Sequence, residues 1–261
     1  MKYKIFILTA VITAILLNGK IVAQDLQKEL NAILTEANVD VRIKLADTFN
    51  NKLAEIIKLG AKAENVDIPK RISQVISRDK SVGIYTWSVP TERGMYKYYG
   101  ILKSPKGIFI LDDVNTNNEY MNNEKFTDNK WYGAIYYDII EITISGKRAY
   151  TLLGNDLKGI LSKKKIIDIL SFDNNENPVF GENVFAGKDN YRIIFEYNAR
   201  SAMYMRYSRA LKTIVYNFLV PVNPNFEGDY RFYVADITYD GLTFKNGKWT
   251  KIENVVFERE D

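Results

Sequence analysis

The sequence predicts a mainly β protein of the α+β class, with an N-terminal helical hairpin followed by an antiparallel meander, barrel or sandwich of about twelve short strands. Two observations on pattern and one on composition carry this. Apolar residues recur at helical spacing before residue 60 and alternate with polar ones after residue 70. The chain also holds 18 Tyr, 13 Phe and 3 Trp, side chains that fit a pleated, half-buried surface better than a helix.

Residues 1–23 read as a secretory signal peptide, because Lys2 and Lys4 precede apolar and small residues over 5–17, and Ala23 stands before a cut at Gln24. That run is shorter than the about 20 helical residues that cross a bilayer. The expectation is export to the periplasm or outside the cell, with no stable membrane insertion after cleavage. Over 24–65, Leu26, Leu30, Ile33 and Leu34 form one stripe, and Leu45, Phe49, Leu53, Ile56 and Ile57 a second. These predict two helices broken at 38–40, with Asp40 as N-cap, Gly60 and Pro69 closing the second, and the apolar face packed on the sheet that follows.

Residues 70–261 read as a single β-rich domain. Strands are expected at 82–88, 96–103, 107–112, 134–144, 148–153, 164–172, 191–197, 203–207, 212–220, 231–235, 242–245 and 248–253. No ten-residue helices intervene, so the connectivity must be antiparallel. Asn246 and Gly247 supply the two positive φ angles of a type I′ turn between the last two strands. The Asn-rich stretch 115–130 is the one long loop.

Charge and composition exclude several functions. Lys plus Arg number 36 against 32 Asp plus Glu, and three of the lysines precede Gln24, so the exported chain is nearly neutral. It carries no footprint for nucleic acid or an anionic membrane. Lys163, Lys164 and Lys165 form the densest basic run and read as a solvated strand edge. With no His and no Cys, Ser-His-Asp and Cys-His hydrolysis, ordinary zinc sites and disulfides are all removed. Carboxylate chemistry, Ser/Lys chemistry and calcium remain.

A glycosidase needs two carboxyl groups about 5 to 9 Å apart. Asp138 and Glu141 face opposite ways on one strand, and Asp168, Glu196, Asp236 and Asp240 read as the solvent-facing positions of a one-sided sheet. Asp113, Asn115, Asn117 and Glu124 match positions 1, 3, 5 and 12 of a calcium-binding loop, with Asn118 in place of its glycine. Calcium is the one cofactor this spacing suggests. Trp131 and Tyr132, like Tyr85 and Trp87, can stack a sugar ring or a peptide, although cross-strand packing must absorb most of the aromatics.

The segments WYGAIYYDII, AYTLLGND, KKIIDILSF, FGENVF, RIIFEYNARSAMYMRY, IVYNFLVP and YDGLTFKNGKW, spread over residues 131–254, resemble a family of exported bacterial proteins with no assigned function. The resemblance implies a signal peptide and a β-rich body, and places no catalytic or binding residue. The expectation is an exported, soluble, non-enzymatic envelope protein that binds a glycan or protein partner. The alternatives are a carboxylate-dependent glycan hydrolase and an assembly protein that dimerises through its helices.

Overall fold

Asn38 begins the longer helix, since its side-chain oxygen accepts from Val41 N at 3.0 Å and its carbonyl from Arg42 N at 2.9 Å. Asp40, the expected cap, instead lies in the first turn, where a carboxylate suits the helix dipole. The structure, a computed structural model, describes residues 25–59, 68–114, 121–157, 159–187 and 189–257. The signal-peptide reading, Gly60 and Asn115 to Asn118 lie outside those residues. Helix α1 covers 25–35 and α2 covers Val39–Leu59.

The first sheet orders β1 (Ser73–Ile76), β2 (Gly83–Pro90), β3 (Tyr96–Ser104) and β4 (Gly107–Asp112) as an antiparallel meander. In the second, β5 (Ile135–Ile144), β6 (Lys147–Asp156) and β7 (Ser162–Phe172) run side by side. Two shorter strands, β8 (Pro178–Phe180) and β9 (Ile193–Asn198), share the far edge of β7. The third sheet orders β10 (Met205–Ser208), β11 (Thr213–Pro221), β12 (Tyr233–Lys245) and β13 (Lys248–Ile252). Among the described residues each sheet is open, so the barrel is not the solution adopted.

Period-two alternation stacks these pieces into four layers. Leu26, Leu30, Phe49 and Leu53 pack on Trp87, Tyr99 and Ile101 of the first sheet, as expected for the hairpin. That sheet's opposite face, with Ile84, Tyr98 and Leu102, meets Tyr150, Leu152, Ile166 and Leu170 of the second. The second sheet's other face, with Leu153, Ile167 and Ile169, meets Ile214, Tyr216, Leu242 and Trp249 of the third.

Burial on both faces of the middle sheet overturns two sequence expectations. Asp168 is 0% exposed, because a strand between two layers has no solvent face to which alternation can send it; Asp240, on β12 of the third sheet, is 5% exposed because it shares the cleft-facing side of Leu242 and is covered by Lys251. The three lysines sit inside β7, all paired to β9 and two of them, Lys164 and Lys165, also to β6. Each is half-buried, and Lys165 Nζ stands 4.7 Å from the Tyr137 ring centroid. Strand count also differs. The segments expected at 231–235 and 242–245 are one strand, β12, because a bulge opposite Phe218 breaks its alternation. Strands β1 and β8 are additional, each too short to show a period. The turn at Asn246 and Gly247, with φ of 51° and 78°, joins β12 to β13 as its dipeptide requires.

Candidate functional site

The gap between the first and second sheets is closed around Asp168 by polar groups. Asp168 lies on β7 where the partner strand is broken, between the Ile167–Ile193 and Leu170–Phe180 pairs. Arg192, the residue before β9, fills the break: its Nε is 3.3 Å from Asp168 Oδ1, Nη1 donates to Glu124 O at 2.8 Å, and Nη2 donates to Phe180 O at 3.2 Å. Both charged side chains are fully buried, which is tolerated only because each finds several partners. Tyr136 Oη donates to Asp168 Oδ2 at 3.1 Å and accepts from Trp131 Nε1 at 3.1 Å. Burial, followed by the charge of Asp168, raises the Tyr136 hydroxyl well above its usual range, so it stays a donor.

Trp131 and Tyr132, expected as an open stacking platform, are therefore core residues at 0% and 6% exposure. Two glycines make the room. A Cβ on Gly100 would stand 3.1 Å from the Trp131 ring, and one on Gly154 would stand 2.9 Å from the Tyr136 ring. Tyr132 Oη donates to Asp156 Oδ2 at 3.1 Å, and Tyr98 Oη to Asp156 Oδ1 at 2.9 Å. Of the calcium-loop residues, Asp113 accepts from Tyr98 N at 2.9 Å and Glu124 pairs with Lys130 at 2.9 Å, so each has a structural partner. Asn115 and Asn117 lie outside the described residues.

The gap between the second and third sheets is built differently. There the apolar layers part into a cleft of about 330 Å³, lined by Phe195 from β9, Tyr216 from β11, Leu242 from β12, Trp249 from β13, and Phe185. Phe195 and Tyr216 are tilted rings with centroids 4.7 Å apart. Trp249 is fixed from two directions: Nε1 donates to Thr151 Oγ1 of the middle sheet at 2.9 Å, and its backbone bonds Val184 O at 2.7 Å and Ala186 N at 2.9 Å. These bonds hold the indole as a rigid wall. At the rim, Phe218 and Tyr230 stand 44% and 52% exposed.

One charged pair enters this apolar cleft. Lys251 Nζ is 3.0 Å from Asp240 Oδ2 and 2.9 Å from Glu253 Oε1. Hydrogen bonds to Glu253 and Asp240 raise the lysine, which keeps its proton throughout the physiological range. Burial, and then the Asp240 charge, pushes the Tyr216 hydroxyl up to about 12, leaving it a neutral hydrogen-bond donor. The cleft thus offers flat apolar rings beside one fixed carboxylate and ammonium, a combination that suits stacking and orientation rather than bond cleavage. Of these residues the sequence draws attention only to Asp240, read there as solvent-facing, because the rest come from four strands and a loop and share no local pattern.

A second cavity, about 300 Å³, lies between α2 and the first sheet, with Asp47, Asp112 and Asp113 among its lining. Asp47 accepts from Lys97 Nζ at 2.7 Å and from Tyr99 Oη at 2.8 Å, which ties α2 to β3. Comparisons with known protein families, with curated proteins and with solved structures each find no match to this chain, so the assignment rests on geometry alone.

Proposed function

We propose that this protein is an exported, non-enzymatic binding protein of the cell envelope that takes a glycan fragment in the aromatic cleft between its second and third sheets. The observation that carries the reading is the cleft's lining: Phe195, Tyr216 and Trp249 supply flat apolar walls while Asp240 and Lys251 supply an acceptor and a donor for hydroxyl groups. Sugar rings present one apolar face and a ring of hydroxyls, which matches that division. Export is supported by the N-terminal pattern of basic, apolar and small residues.

Calorimetric titration of the purified protein with glycan fragments tests the reading. Binding is expected in the wild type and lost in Ala186→Trp, where a large ring on an exposed lining residue fills the cleft mouth. Retained binding in that variant, or binding of aromatic peptides in place of glycans, contradicts it.

A second reading, a carboxylate-dependent hydrolase, is favoured by the cavity under α2, where three aspartates line one space. Glycan cleavage that disappears in a folded Asp112→Asn variant would put it first.

A further inference from the structure

The gap between the first and second sheets opens at one end into a separate cavity of about 300 Å³. Its walls are Ser81 and Ser104 from the first sheet's turns and strand ends, and Arg148, Tyr150 and Phe172 from inward-facing positions on β6 and β7. The rim is tied across the gap at two places. Lys106 Nζ donates to Asn175 O at 2.5 Å and Asn177 Oδ1 at 2.7 Å, and Arg148 pairs with Asp79. Inside, Ser104 is 7% exposed and its Oγ has no hydrogen-bond partner. A buried hydroxyl without a partner costs free energy comparable to a lost hydrogen bond, and native structures keep few of them.

We propose that this cavity is a binding site for the oxyanion of a small molecule, a carboxylate or phosphate group on a body no larger than a sugar acid. Donors dominate the lining: the Ser104 and Tyr150 hydroxyls, the Arg148 guanidinium and the Lys106 ammonium, against the Glu176 carboxylate in the lining and the Asp79 carboxylate that pairs with Arg148. Arg148 and Lys106 each carry more N–H donors than their rim partners use, and a guanidinium beside hydroxyls is the usual cradle for an oxyanion. Phe172 and Val82 form the apolar wall, against which the ligand's carbon skeleton lies. The bound oxyanion accepts from Ser104 Oγ and thereby satisfies it.

Calorimetric titrations of the purified protein with glucuronate, inorganic phosphate and glucose test this. Binding of glucuronate or phosphate, with glucose at least about tenfold weaker, is expected; the stronger of the two anions identifies the head group. Ser104→Ala is expected to weaken that binding by about tenfold while leaving the melting temperature unchanged or higher, because it removes an unsatisfied hydroxyl. Arg148→Gln, at an exposed side chain whose loss leaves the fold intact, is expected to weaken it further. No binding of either anion overturns the assignment, as does glucose binding equal to glucuronate, or anion binding unchanged in both variants.

Discussion

The two faces of the middle sheet meet their neighbours in opposite ways. Toward the first sheet, charge is buried and closed off: Asp168, Arg192, Tyr136 and Trp131 form one connected chain of hydrogen bonds, and the glycines at 100 and 154 let the rings interlock. Toward the third sheet, Trp249 is pinned by Thr151 and two backbone bonds, and the neighbouring rings leave about 330 Å³ unfilled. A buried ion pair demands partners from every direction and so fixes its surroundings; apolar rings demand none and tolerate a void. Around this network the first interface is closed, its cavity lying at one end, whereas the second parts along its aromatic rings.

Four perturbations sharpen this contrast. The largest effect is expected from Arg192→Met, which strands Asp168 without its cation and should cost about 3–5 kcal/mol in urea unfolding. Replacing both, as Asp168→Leu with Arg192→Met, should cost clearly less than Arg192→Met alone. Equal costs would mean that the pair is not coupled. Next, Gly154→Ala should cost about 1–3 kcal/mol, since its Cβ meets the Tyr136 ring in a gap with no slack. Ala186→Trp, at the mouth of the open cleft, should stay within about 0.5 kcal/mol of wild type.

A pH-dependent effect belongs to Lys165. Burial, assisted by the charge of Arg206, lowers this ammonium to about 8 from 10.5. The folded state therefore disfavours the charged form, and between pH 8 and 10 the unfolded chain binds more protons than the folded one. Stability contributed by this group should rise with pH through that window, a rise absent in Lys165→Met. A flat melting temperature in both proteins would show that the ammonium is solvated. Smallest is Asp79, which hydrogen bonds from Ser77 and then Ser81 hold at about 2. Its contribution is present above pH 4 and fades as pH falls toward 2, and Asp79→Asn should remove only that acid limb.

Where order is local, the sequence was a reliable guide. Leu26 to Ile57 show the helical stripe that covers the first sheet, and Asn246 and Gly247 show their hairpin, because each signal lies within one element. Asp168 and Lys165 were misread as solvent-facing because alternation reports two faces without saying whether both are covered; only the stacking of three sheets decides that. The bulge in β12 hid a continuous strand for a similar reason, breaking the period on which strand recognition depends. The cleft was invisible since Phe195, Tyr216 and Trp249 meet only through the packing of two sheets. Trp131, the aromatic that local pattern did favour, belongs to the side that meets the first sheet.

The chain's three tryptophans report on three layers, and their indole N–H groups have different partners: Asn50 for Trp87, Tyr136 for Trp131 and Thr151 for Trp249. A proton–nitrogen NMR titration with glycan fragments reads all three at once, with Thr151→Val assigning the Trp249 signal. The Trp249 resonance is expected to move with ligand while those of Trp87 and Trp131 stay in place. Movement of the Trp131 resonance, or of none, would contradict glycan binding in the cleft between the second and third sheets.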